Sequence, residues 1–172
     1  LGINFNIVGE AIGKNQLYLD QLIEQFKEHV FCHGYVPDDD LVNLLSRSGY
    51  AILPFKDYSF YYPFSGSVLQ AMKMGKVVFS HEVNAVGELI QHGVTGFILD
   101  GNLSRDTRLL AHVMSDQSIV KKVTDSAQNL LQTIHDPANV RRHFLQENTR
   151  VFPGVVNGRK TSMLCLFTSY YF

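Results

Sequence analysis

The chain has 172 residues, 45% of them hydrophobic and 18% charged, with a formal net charge of −1. That balance excludes a disordered chain and fits one domain large enough for a core of its own. Basic residues are scattered, so nothing points to nucleic acid as a partner. The two cysteines, Cys32 and Cys165, lie far apart without metal-ligand spacing. They read as reduced thiols of a cytosolic-type protein. No apolar run reaches the length of a membrane span. The expected location is the cytoplasm, with peripheral attachment at the inner face of a membrane as the variant. The chain opens at Leu1 and not at a methionine, which reads as a fragment.

Ile3, Phe5 and Ile7 alternate with Asn4 and Asn6, predicting a strand that ends at Val8-Gly9. From Asn15 to His29, Leu19, Leu22, Ile23 and Phe26 recur at helical spacing. Residues 30–32 form a short second strand, stopped by His33-Gly34, and Cys32 reads as core packing. Asp38, Asp39 and Asp40 follow Pro37, where the positive end of a helix dipole favours carboxylates. Leu41, Leu44 and Leu45 give that helix its apolar face, and Gly49 ends it. Residues 50–53 are a third strand closed by Pro54, and an aromatic loop spans 55–63. A helix over 64–75 precedes strand four at 77–79. A short helix around 86–91 leads to strand five at 97–99, and helices follow over 103–115, 117–134 and 137–149.

Strands alternating with helices at short spacing imply βαβ units, hence an α/β fold with one Rossmann-like parallel sheet of about five strands flanked by helices. Residues 1–150 are expected to form this domain. Val151-Phe-Pro-Gly breaks the last helix, and 151–172 is a tail with no assigned role. Ligands of such sheets sit beyond the carboxyl ends of the strands. Those ends fall at Gly9, His33-Gly34, Pro54-Phe55, Ser80-His81 and Leu99-Asp100.

The stretch that carries most chemistry is Phe64-Ser-Gly-Ser-Val-Leu-Gln-Ala-Met-Lys-Met-Gly75. A Ser/Gly turn opening a short helix leaves free backbone N–H groups where the dipole is positive, which suits a phosphate. On this reading Ser65, Gly66, Ser67 and Val68 cradle a diphosphate. The plainer reading is a serine N-cap on a sheet-packing helix. Tyr58, Phe60, Tyr61, Tyr62 and Phe64 either stack on a base or sugar or pack against a neighbouring domain. Glu88 opens a second punctuated unit, Glu88-Leu-Ile-Gln-His-Gly-Val-Thr-Gly-Phe-Ile-Leu99. There Gly93 and Gly96 read as positive-φ turn residues. His81 and Glu82 follow a strand end, where a ligand of such a sheet could be touched. His29, His92, His112, His135 and His143 show no ligand pattern and read as surface residues.

Four segments, in order, resemble the group 1 glycosyltransferases. Residues 31–41, Phe-Cys-His-Gly-Tyr-Val-Pro-Asp-Asp-Asp-Leu, are similar to that family's F-x-G-x-V-x-x-x-x-L. Ile52-Leu-Pro54 resembles its strand end. Leu69-Gln-Ala-Met-Lys-Met-Gly-Lys-Val-Val78 resembles L-E-A-M-A-x-G-x-P-V-V, and residues 88–98 resemble E-x-I-x-x-G-x-T-G-x-L. The resemblance implies the carboxy-terminal, donor-binding domain of a two-domain GT-B enzyme of retaining type. Its first strand and helix would lie outside this chain. The implied activity is transfer of a sugar from a nucleoside diphosphate sugar to a glycan or lipid-linked acceptor, in polysaccharide or glycoconjugate biosynthesis. The implied partner is an amino-terminal domain of the same polypeptide. The nucleotide-sugar is substrate, and neither a cofactor nor a metal is implied. The implied donor-binding positions are Gly34, Tyr35, Pro54, Tyr62, Ser65, Gly66, Ser67, Val68 and Gln70. Where many members carry two glutamates, Tyr62 and Gln70 stand here. Ser65-Gly66-Ser67-Val68 resembles a branch with a Ser-Gly-hydrophobic turn instead. Two other readings stand beside this one: a sugar-nucleotide epimerase of the same shape, and a non-catalytic Rossmann-like interaction module.

Overall fold

A computed structural model describes residues 3–11, 13–55, 66–83, 85–140 and 142. The chain divides into two compact units, residues 1–131 and 132–172. The first unit alternates strand and helix: β1 (Phe5–Ile7), α1 (Lys14–Gln25), β2 (Val30–Cys32), α2 (Asp38–Arg47), β3 (Tyr50–Leu53), α3 (Gly66–Lys73), β4 (Val77–His81), α4 (Val86–Leu89), β5 (Phe97–Leu99) and α5 (Leu103–Ser115). The helix α6 (Gln117–His135) follows. In the second unit residues 137–140 are helical, and the tail 151–172 lies outside the described residues.

The element sequence is the one expected, with parallel pairing throughout. The strands do not form one sheet, however. Among the described residues β1 pairs only with β2, and a separate sheet has the order β3-β4-β5. Alternation predicts which segments are strands and that they run parallel. It does not supply a ladder between two edges. Here the edges of β1 and β3 face a shared cleft of about 420 Å3, lined by Asn4, Phe5, Asn6, Gly49, Tyr50 and Ile52 among others.

The core sits around β4, where Val77, Val78, Phe79 and Ser80 are all fully buried. Four consecutive buried residues mean that both faces of the strand are covered. Val78 packs in a cluster with Val68, Ala71 and Met72 of α3, Val86 and Leu89 of α4, and Ala127 and Leu131 of α6. Val77 and Phe79 belong to a second cluster with Phe97, Leu99, Val113 and Val123. Phe79 stacks on Phe97 with ring centroids 5.2 Å apart.

The first half is different. Among the described residues 3–50, Val30 is the sole buried hydrophobic, and α2 buries none of its residues. Cys32, expected in the core, is exposed. Among the described residues no element buries its face of the two-stranded sheet. Helix α1 also ends earlier than its apolar spacing suggests. The N–H groups of His29 and Val30 both donate to the carbonyl of Phe26, at 2.8 and 2.9 Å, turning the chain tightly into β2. No described helix is long and apolar enough to cross a membrane.

Two outcomes follow from this packing. Phe79→Ala should cost about 3–5 kcal/mol of unfolding free energy, the usual result of emptying an aromatic site in a core; denaturant titration measures it, and a loss under about 1 kcal/mol would mean that β4 is not the centre. Asp116, ahead of α6, accepts the hydroxyl and backbone N–H of Ser118 at 2.6 and 2.8 Å. These bonds lower its pKa. A carboxylate with a depressed folded pKa stabilises above its unfolded value and loses that contribution as pH falls through the folded one. The melting temperature of Asp116→Ala should therefore lie below wild type at neutral pH and meet it in acid.

Candidate functional site

A helix that links two parallel strands runs back against them, so its amino end arrives at the carboxyl ends of the strands. Helix α3, between β3 and β4, therefore begins at the edge where Pro54 and His81 lie. Gly9 and Gly34 end β1 and β2 at the corresponding edge of their own sheet. From β1 the chain builds one way to β2, and from β3 the other way to β4 and β5. Such a reversal leaves a crevice beyond the strand ends, the usual ligand position in an open α/β sheet.

Gly34 has φ +62°, a conformation that side chains disfavour, and its carbonyl accepts the Gly9 N–H at 2.8 Å. That bond ties the ends of β1 and β2 together. Beside it the His33 ring lies 2.9 Å from the Asn6 side-chain oxygen. Tyr35 stands out from this corner, 79% exposed. The three residues thus present backbone groups and a free aromatic ring at one edge.

At the end of β3, Pro54 is exposed, and the N–H of Phe55 donates to the Leu53 carbonyl at 2.9 Å. Ser80 anchors this corner: its hydroxyl donates to the same Leu53 carbonyl at 2.8 Å from a fully buried position. His81 Nδ1 lies 3.0 Å from the carbonyl of Phe55. A carbonyl can only accept, so Nδ1 is the donor in this contact.

Helix α3 opens with Gly66 and Ser67, both exposed, followed by Val68, which is fully buried. Val68 anchors the first turn in the core, so it can offer a ligand only its backbone N–H. Gln70, one turn on, is half-buried. The first N–H groups of a helix have no acceptor within it. Tyr62 and Ser65, with Tyr58, Phe60, Tyr61 and Phe64, lie outside the described residues.

The unit from Glu88 to Leu99 proves mainly structural. Glu88 is exposed on α4. Gly93 has the positive φ expected of it, +74°. Gly96 does not owe its identity to φ: a Cβ there would stand 2.9 Å from the Val78 carbonyl and 3.0 Å from Ile90 Cγ2. It is a point of close approach between β5 and β4. Thr95 is buried, donates to the Leu89 carbonyl at 2.7 Å and accepts the Gln91 N–H at 2.9 Å, which pins the turn to the end of α4. His92, read from sequence as a plain surface residue, accepts the Ile98 N–H at 3.1 Å and packs edge-on against Phe97. No sequence signal marks these last roles, since it is the folded turn that brings the partners near.

Residues 2–116 match the family described as glycosyl transferases group 1. A curated relative, "Putative glycosyltransferase YtcC" of Bacillus subtilis (strain 168), is 22% identical over 119 residues, which are 68% of this chain and 28% of that protein. Among solved structures, HepE of Anabaena in complex with UDP superposes with a TM-score of 0.64 at 19% identity, covering 86% of this chain and 41% of its own. The carboxy-terminal domain of the group 1 family protein LpcC from Francisella tularensis gives 0.63 at 18% identity, covering 76% of this chain and 68% of that domain. The chain thus spans under half the length of YtcC and of HepE, and about two thirds of the LpcC domain.

The glycines of this region separate cleanly by substitution. Gly96→Ala should destabilise by about 1–3 kcal/mol, because its Cβ meets backbone that cannot retreat. Gly87→Ala should be neutral or slightly stabilising, as its Cβ would meet only the Glu82 side chain at 3.5 Å in a helical turn. Paired thermal melts test the contrast, and equal melting temperatures would contradict the close approach.

Proposed function

The chain belongs to the group 1 glycosyl transferases, and we propose that it is the part of such an enzyme that holds the sugar donor, a nucleoside diphosphate sugar. The observation that carries the reading is the start of α3. Gly66 and Ser67 are exposed there on a turn anchored by the buried Val68, at the carboxyl edge of the sheet. The diphosphate lies over these N–H groups and the Ser67 hydroxyl. Gly34 and Tyr35 meet the base, Gln70 a ribose hydroxyl, and Pro54 and His81 border the sugar. HepE, whose structures include complexes with UDP and UDP-glucose, supports a uridine nucleotide as the first ligand to try.

In the reaction the bond between the anomeric carbon and the diphosphate oxygen breaks. A new bond to the acceptor oxygen forms with retention, and the acceptor's hydroxyl proton passes to the departing diphosphate. Negative charge grows on the departing diphosphate. The amino end of α3 is already aimed at it, so stabilisation there needs no reorganisation. A glycan or lipid-linked acceptor approaches from an amino-terminal domain of the same polypeptide.

Titration of UDP, GDP and UDP-glucose into the full-length protein tests the assignment. Ser67→Ala should weaken nucleotide binding about tenfold, the equivalent of one lost hydrogen bond of roughly 1–2 kcal/mol. Gly66→Val should weaken it further by blocking close approach, with melting temperature unchanged. Unaltered affinity in folded Gly66→Val protein would refute the phosphate site while leaving the family membership intact.

A further inference from the structure

We propose that His92 seals the outer edge of β5 against pairing with a strand of another copy of this chain, in a way that a proton undoes. This stands apart from the donor reading, because the turn that carries His92 lies at the amino end of β5, away from the strand ends where a ligand rests.

β5 ends the sheet β3-β4-β5, and β4 is its only strand partner among the described residues. Alternate residues of a strand direct their backbone groups to opposite sides. Ile98 donates its N–H to a side chain, so Phe97 and Leu99 face β4, while residues 96, 98 and 100 face outward. An outward row of this kind is a template for another chain. Here the row is taken up from within. The Gly96 carbonyl accepts the N–H of Gly93 at 2.8 Å. The N–H of Ile98 donates to His92 Nδ1 at 3.1 Å. The N–H of Asp100 donates to the Asp106 carboxylate at 3.2 Å. His92 holds the middle of the row.

The three bonds respond differently to acid. A backbone amide does not titrate, and carboxylates as a class gain a proton at lower pH than imidazoles do. An imidazole nitrogen accepts an N–H only while it is bare, and a proton on it makes it a donor. The ring packs edge-on against Phe97, with centroids 5.7 Å apart, and that contact does not need a bare Nδ1. Protonation therefore leaves the ring in place and sets its Nδ1–H against the Ile98 N–H, so an attraction becomes a repulsion. His92 is exposed, which lets a proton reach it directly. The titratable and charged groups on the elements around it are Glu88 on α4, Lys76 and His81 at the two ends of β4, and Arg105, Asp106, Arg108 and His112 on α5. None of them is ion-paired with His92.

Residue-resolved hydrogen exchange on the full-length protein tests the proposal, with each amide compared to its own intrinsic rate at the same pH. The Val78 amide, in the buried strand β4, reports that the fold is intact. Asparagine carries its side-chain oxygen where histidine carries Nδ1, so His92→Asn keeps the acceptor and discards the titration. His92→Ala removes both. At about pH 8 the Ile98 amide should be protected in wild type and in His92→Asn, and about tenfold less protected in His92→Ala, as for one lost hydrogen bond. At about pH 5 the wild type should fall to the alanine level while His92→Asn holds. Sedimentation at high concentration and about pH 8 should show His92→Ala self-associating more than the other two. Equal Ile98 protection in all three proteins, with Val78 protected throughout, would overturn the proposal. So would wild type and His92→Asn losing protection together in acid, a comparison that stands even where His92→Ala fails to fold. Equal self-association of three folded proteins would leave a bond without a sealing role, and overturns it too.

Discussion

Burial of β4 on both faces is the constraint from which the well-buried part of this protein follows. Val77, Val78, Phe79 and Ser80 expose nothing, so helices must lie on either side of the strand. Helices α3 and α4 supply residues to one cluster, and α5 to the other, while α6 contributes Val123 to the second and Ala127 and Leu131 to the first. A fully buried serine in such a strand needs an acceptor, since an unsatisfied hydroxyl costs about 1–3 kcal/mol. Ser80 finds it in the Leu53 carbonyl, and in doing so fixes the end of β3. His81, exposed enough to reach outward, then holds the next residue pair through Phe55. The same packing that makes the core therefore shapes the rim on which a ligand would rest.

Burial is distributed unevenly along the chain, and this has consequences for dynamics. Elements with few buried apolar contacts open at lower free energy than the core. β1, α1, β2 and α2 are held chiefly by their own ladder, by the turn at Phe26 and by the Gly9–Gly34 bond. Gly34 and Tyr35 sit on this weakly buried unit, whereas Gly66, Ser67 and Gln70 sit on a helix rooted in the core through Val68, Ala71 and Met72. A ligand bridging both sides would order the weaker one against the stronger. Part of its binding energy would be spent on that ordering.

Local pattern carried the element list well: alternation marked β1, and the Pro37-Asp38-Asp39-Asp40 run marked the start of α2. What local pattern could not carry was partnership. Whether β1 pairs with β3 depends on what lies between them, and no residue of either strand encodes that. Gly93 and Gly96 look alike in sequence, yet one serves a left-handed φ and the other a 2.9 Å approach to a carbonyl. Cys32 had a core composition around it but, among the described residues, no element that buries it. His92 and Thr95 gained their roles from residues brought near by the turn itself. For the candidate site, the glycine-opened helix and the strand ends were legible, because both follow from chain direction in a parallel sheet. The contributions of Tyr62 and Ser65 lie outside the described residues.

In the proposed donor site, the departure from a glutamate pair at Gln70 bears on the chemistry at the start of α3. Side chains on a helix lean toward its amino end. A half-buried group one turn after Gly66 is thus directed at the same space as the free N–H groups. A carboxylate there can only accept, and its charge opposes that of a diphosphate held nearby. An amide accepts through its oxygen, donates through its nitrogen and adds no repulsion. It gives up the stronger bond a charged acceptor makes to a hydroxyl. In the proposed site, glutamine in this place would therefore shift the balance from gripping a hydroxyl toward tolerating the anion, with orientation of the sugar left to the neighbouring rim at Pro54 and His81.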